Sequence, residues 1–335
     1  MSITSYIERH DNYIRNRSDE GVERNERVLV FSVNRFRGDQ RVVVGGFADR
    51  LKGMCFSYLV ALITNRLFFV EWNNPSDITS SFVPKLFGWD QLDDYDASVM
   101  KQVDWVDTNL DEQVKLALRE GGESIEGLFG GERVVKVNSN QFPHSLLSDY
   151  SKLFSDYGID WASYKGCFSG AFNSLFEYSP PEDKMKSFKA FGQFRESNVV
   201  VIGAQFRVGG TSGGWKDPQL EDVENAPMLA KAIETFASDR GYNKFGVYIT
   251  TDNQDVKNIL ADYFLGKAEV FFFEERPTHL DRSTTEDAAR GADQVYLEHT
   301  LLSLSDHVIV GKGGFGLTAA YRENKTPVKY TSLLD

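Results

Sequence analysis

Ser303-Leu304-Ser305-Asp306-His307-Val308-Ile309-Val310-Gly311-Lys312-Gly313-Gly314-Phe315-Gly316-Leu317-Thr318-Ala319-Ala320 is the most informative segment of the chain. A short apolar run, His307–Val310, meets four glycines within six residues, and a helix of small side chains follows over Phe315–Arg322. Strand, glycine turn and helix in that order place open backbone N–H groups at a helix start, where they form an anion nest. Lys312 lies beside the nest and is as readily a solvated lysine as a ligand.

The same alternation extends back from this segment. Apolar runs at Val199–Phe206, Phe245–Thr251 and Ala268–Phe273 read as strands, and Val328–Tyr330 closes the series. Between them, 226–240, 254–263 and 285–304 carry helical spacing. Five short strands alternating with helices predict a doubly wound, Rossmann-like domain, in which ligands sit at the carboxyl ends of the strands. Nearer the N-terminus, Val28–Ser32 and an apolar run at Val42–Val44 precede GGFADRLKGM. An apolar helix then leads to the strand-like Arg66-Leu67-Phe68-Phe69-Val70-Glu71-Trp72, again the pattern of a parallel sheet. Residues from about 75 to 190 hold short amphipathic segments broken at Gly121-Gly122, Gly130-Gly131 and Pro180-Pro181, and match no motif. The expected division is 1–195 and 196–335, with the boundary in the charged stretch after Pro180-Pro181.

Composition narrows the function. The 335 residues suffice for two α/β domains, and 41% hydrophobic with 26% charged residues is a globular balance. A net charge of −12 argues against a large nucleic-acid surface, which needs clustered Lys and Arg. Cys55 and Cys167 are far apart and suggest neither a disulfide framework nor a zinc site. No stretch approaches the roughly 20 apolar residues of a membrane helix, and the polar first 21 residues have no signal core. A cytoplasmic chain is the expectation, although one with an anchor removed would read the same.

Three further strand ends carry chemistry. In Gly45-Gly46-Phe47-Ala48-Asp49-Arg50, paired glycines allow close backbone approach to a ligand, a pattern as often structural as functional. In Ala204-Gln205-Phe206-Arg207-Val208-Gly209-Gly210, an arginine closes a buried strand, where a guanidinium can fork onto a diphosphate. In Tyr248-Ile249-Thr250-Thr251-Asp252-Asn253, the polar end suits a helix cap better than direct ligand contact.

Together these four segments, in this order, resemble the fucosyltransferase superfamily: the α1,6-fucosyltransferases, the rhizobial Nod-factor enzymes and the protein O-fucosyltransferases. GGFADRLKG resembles the family's first GDP-side motif, and AQFRVGG its His-x-Arg motif, with Arg207 at the pyrophosphate arginine and Gln205 in place of the histidine. YITTDN is similar to the Ala-Thr-Asp segment, and SLSDHVIVGKGGFGLTAA to the last motif, with Gly313-Gly314 in place of hydroxyl-bearing residues. The resemblance implies a GT-B-like α/β fold, two Rossmann-like domains facing a cleft, with the nucleotide on the C-terminal domain and the acceptor on the N-terminal one. It implies an inverting, metal-independent glycosyltransferase that moves fucose from GDP-fucose to a glycan or other hydroxyl acceptor, with no cofactor. Gly45, Gly46, Phe47, Arg50, Gln205, Arg207, Asp252, Glu298, Gly313, Gly314, Phe315 and Gly316 are the implied nucleotide-sugar ligands. Glu298 is the candidate reader of guanine, Arg207 the catalytic cation, and Asp49 or Asp217 the base. Two alternatives stand beside this reading: the same fold acting on another sugar nucleotide, and a non-catalytic nucleotide-sugar or glycan binder.

Competing motifs are weaker. His10, His144, His279, His299 and His307 have no metal-ligand spacing and read as core or solvated residues. Asp94-Tyr95-Asp96 matches the Asp-x-Asp of metal-dependent transferases, a triple expected by chance in so acidic a chain. Gly210-Thr211-Ser212-Gly213-Gly214 matches GxSxG but runs into Trp215-Lys216-Asp217-Pro218, where a nucleophile elbow needs a helix. No P-loop occurs, and Gly45-Gly46 is not a dinucleotide fingerprint.

Overall fold

Val28–Ser32 is apolar at almost every position and fully buried, which suits a strand covered on both faces of a parallel sheet. A computed structural model of the chain describes residues 2–16, 26–37, 40–43, 45–92, 100–106, 112–142, 150–210, 217–275, 278–280 and 285–334. These residues form two compact units, Met1–Glu177 and Tyr178–Asp335.

In the first unit Val28–Ser32 lies between Leu67–Glu71 and Val134–Ser139, and Met100–Trp105 pairs with the outer side of Val134–Ser139; every pairing is parallel. Helix Phe47–Ile63 is buried along most of its length. Gly53 lets it cross the sheet edge closely, since a Cβ there would stand 1.6 Å from Ser139 O. The opposite face, with Val28, Val30, Leu67, Phe69 and Val134, packs against Tyr13 and Ile14 of helix Ile3–Arg15. The apolar run before the glycine turn is not a sheet strand: Gln40–Val43 pairs antiparallel with Asn34–Arg37, so a hairpin stands between Val28–Ser32 and its helix. Val44 lies outside the described residues. Val134–Ser139, next to Val28–Ser32, arises in the stretch that sequence reading left without a motif.

In the second unit the strand order is Glu269–Phe271, Gly246–Thr251, Val201–Phe206, His307–Val310, Val328–Lys329, all parallel. Numbered along the chain this is 3-2-1-4-5, the doubly wound order, and the direction of winding reverses between Val201–Phe206 and His307–Val310. Ile202, Ala204, Phe206, Val247, Ile249 and Ile309 bury one face under helices Ala226–Asp239 and Gln254–Phe264. Val201, Tyr248, Val308 and Val310 bury the other, in a core shared with Leu297, Leu301 and Ala319 of helices Thr285–Leu304 and Phe315–Arg322.

The boundary expected at 195/196 moves to 177/178. The charged stretch after Pro180-Pro181 is helix Glu182–Ser197, whose Phe191 and Phe194 enter the second core; their rings lie 5.2 Å from Tyr248 and 5.3 Å from Phe271. Burying two aromatic rings outweighs the surrounding charges, which remain on the outer face.

Candidate active site

Arg207 follows the last residue of Val201–Phe206 and so stands at the carboxyl edge where the winding reverses. Its loop is tightly fastened. Asp252, at the end of the neighbouring strand, accepts from Val208 N at 2.7 Å and Gly209 N at 2.9 Å. Gly209 and Gly210 have φ of +75° and +70°, and a Cβ on Gly209 would meet Pro218 O at 2.2 Å. Returning chain then bonds back, Leu220 N to Val208 O at 2.9 Å and Asp217 N to Gly210 O at 2.8 Å.

The Arg207 guanidinium is three-quarters buried, and its Nη2 donates to Asp217 and, over 2.9 Å, to His279 Nε2. The Asp217 side chain is only 2% exposed, so the pair is well shielded from water. Asp252 Oδ2 lies 3.9 Å from Nε. Nη1 makes no hydrogen bond or ion pair among the described residues. It lies on the side of Gly313, where a Cβ would be 3.8 Å from it.

Gly313, with φ +98°, begins the turn into helix Phe315–Arg322. Gly314 caps that helix without a side chain, and Thr318 N bonds Gly314 O at 2.9 Å. The N–H groups ahead of Thr318 are those a helix start leaves without intrahelical acceptors, and they carry the positive end of its dipole. Lys312 is exposed and donates to Leu220 O at 2.8 Å, linking the glycine turn to the loop of Arg207. Gln205 is buried beneath this turn: Gly311 N donates to its carbonyl at 2.8 Å, and a Cβ on Gly316 would stand 3.0 Å from its Cβ.

Glu298 reaches the same edge from helix Thr285–Leu304. Its carboxylate accepts from Thr250 Oγ at 2.9 Å and from Gln294 Nε2 at 3.0 Å, and Thr250 is the register partner of Gln205. Burial pushes the Glu298 carboxyl above its usual range, opposed by the Gln294 hydrogen bond and the positive charge of Lys257. Deeper in, His299 Nε2 lies 3.0 Å from Thr318 Oγ, and burial, reinforced by Arg322, holds the imidazole well below its usual pKa.

The structure thus gathers Arg207, Asp217, Asp252 and Gly313, with Gln205 and Glu298 on one sheet face beside them. The helix cap expected of the Thr-Asp-Asn run belongs to Asn253, which accepts from Asp255 N and Val256 N. Asp252 holds the arginine loop instead. In the first unit, Arg50 is buried and committed, its Nε donating to Gly45 O at 2.9 Å and its Nη1 to Asn74 O, with the guanidinium 5.5 Å from the Trp72 ring. Phe47 is buried against Trp72 and Phe82. Gly45 takes φ +43° and Gly46 caps the helix, while Asp49, 40% exposed, pairs with Lys52 at 2.7 Å. Asp94, Asp96, His144 and 211–216 lie outside the described residues. Among the described residues no three His, Cys, Asp or Glu side chains gather as a metal site requires, and no helix is long and apolar enough to cross a membrane.

Sequence reading missed His279, Thr250 and Gln294 as neighbours of the site. Gln294 was open to discovery, four residues before Glu298 on one helix face. His279 sits in no motif, and only the folded chain brings it to Arg207.

No family model matches the sequence, and no curated protein matches it. Solved structures do. A mutant of Arabidopsis thaliana FUT1 in complex with GDP matches with a TM-score of 0.58 at 12% identity, over 97% of this chain and 76% of that one. NodZ α1,6-fucosyltransferase soaked with GDP-fucose (TM-score 0.48, 13% identity, 88% and 92% covered) and POFUT1 in complex with GDP (0.45, 9%, 91% and 98%) score lower. The chain therefore has the α/β fold of the GT-B fucosyltransferases, which the motif resemblance led one to expect.

Proposed function

We propose that this chain is a glycosyltransferase that takes fucose from GDP-fucose and passes it, with inversion and without a metal, to a hydroxyl of a glycan or other acceptor. The observation that carries the reading is Arg207 Nη1, which meets no acceptor among the described residues and lies beside the glycine turn at Gly313, at the winding reversal of the second sheet. A cation beside a glycine turn that leads into a helix suits a diphosphate, whose charge grows as the glycosidic bond breaks. The fold neighbour solved with GDP supports the same assignment.

In this reading Glu298, beside Thr250 and Gln205, accepts from the N1–H and N2–H₂ of guanine. Asp49 and Asp217 both stay candidates for the base, and Asp217 already neutralises Arg207 and is shielded from water. The test is turnover of GDP-fucose, by hydrolysis or transfer, in the presence of EDTA. Turnover that survives chelation supports the reading. Turnover abolished by EDTA and restored by Mn²⁺ would return attention to Asp94 and Asp96, and no turnover at all would leave a binding protein.

A further inference from the structure

We propose that His279 is a positioning residue for Arg207, acting as a neutral imidazole with its proton on Nδ1. The functional half of this inference rests on the diphosphate reading above; the tautomer rests on geometry alone. A guanidinium only donates. Arg207 Nη2 lies 2.9 Å from His279 Nε2, so Nε2 is the acceptor and bears no proton.

The arrangement fixes how the arginine is presented. Nη2 carries two hydrogens, one directed to Asp217 and one to His279, and both are used. Asp217 alone would tolerate a swing of the guanidinium that offers it Nη1 as well. A second acceptor on Nη2 resists that swing and leaves Nη1 turned toward the glycine loop at Gly313. The second acceptor is also uncharged. Arg207 already has the Asp217 carboxylate at hydrogen-bond distance and that of Asp252 at 3.9 Å from Nε. A third anion would cancel the field meant for the diphosphate, whereas an imidazole orients the guanidinium without that cost.

This separates His279 from a merely structural contact, because a neutral acceptor and a charged one must behave differently. The experiment uses the full chain, with GDP and GMP as probes, since the ratio of their affinities reads the second phosphate. His279→Ala should lower the GDP-over-GMP ratio about tenfold, the loss of one hydrogen bond to a charged group. His279→Gln, whose amide oxygen can accept from Nη2, should restore the ratio to within about threefold of wild type, while His279→Asp should fall at least as far as the alanine variant. GMP affinity should stay constant throughout. Independently, ¹⁵N–¹H correlation of the histidine rings in the unliganded protein should show His279 protonated on Nδ1 and bare on Nε2. A proton on Nε2, an unchanged ratio in His279→Ala, or an aspartate variant as good as glutamine would overturn the proposal. A wild type that binds GDP and GMP alike would instead overturn the diphosphate reading, with the ring spectrum still deciding the tautomer.

Discussion

The carboxyl edges of the two parallel sheets, compared beside their first strands, are chemically opposite. In the first unit the side chains at the strand ends bond mainly to one another. Ser32 and Lys136 both donate to Glu71, and Asn138, fully buried, donates to Ser32 O at 2.6 Å and Asn34 O at 2.9 Å while accepting from Gln102 at 3.0 Å. In the second unit hydrogen-bonding capacity is left over. Arg207 Nη1 and the buried Oε1 atoms of Gln205 and Gln294 have no acceptor or donor among the described residues. A strand-end position is common to both. What marks a binding site is unspent hydrogen-bonding capacity held in place by a satisfied frame.

Four substitutions test that contrast, in descending order of effect. Arg207→Ala should depress kcat/KM for the donor on the order of 10²-fold, the scale for losing one preorganised electrostatic donor. Its thermal unfolding should fall, because Asp217 is left shielded without its cation, but the variant should still fold. If the variant unfolds instead, the arginine belongs to a structural network like that of the first unit. Asn138→Ala should lower stability alone. Removing two donors from buried carbonyls should cost about 1–3 kcal/mol in urea unfolding and leave GDP affinity alone; a loss of GDP affinity would break the contrast from the other side.

Glu298→Gln should weaken GDP binding by about 1.5 kcal/mol, measured by calorimetry. Its stability should move the opposite way. The folded carboxyl titrates above its unfolded value, so the wild type loses stability as pH rises from the usual carboxylate range through the raised folded pKa. The amide does not titrate, and its advantage should grow across that window, reaching its full size above it. A gap that stays constant with pH would show that Glu298 is not the group responsible. Lys52→Ala removes the half-buried partner of the more exposed Asp49 and should shift stability by less than about 1 kcal/mol.

The second unit was legible because its strands are continuous apolar runs and its glycines mark each turn. Of the strand ends singled out there, Arg207 and Gly313 meet, and Asp252 joins them in a role the cap reading did not foresee. The first unit was legible only where it shares that grammar. Val134–Ser139 alternates Val with Lys and Asn because its carboxyl end enters the polar network, so it lacks the apolar run that betrays a central strand. Helix Glu182–Ser197 hid for a related reason: its buried face rests on few side chains amid many charges. Arg50 shows the limit of motif reading, since an arginine after paired glycines looks the same in sequence whether or not it bonds backbone carbonyls, as this one does to Gly45 of its own turn and to the distant Asn74.

We infer that the carboxyl edge of the second unit binds a diphosphate and a guanine base. Calorimetric titration of the intact chain with GDP, GMP and UDP in EDTA tests it most directly. The account predicts that GDP binds at least about tenfold more tightly than either, the worth of one charged hydrogen bond at the second phosphate and one at the base. UDP binding as well as GDP, or GMP as well as GDP, would contradict it.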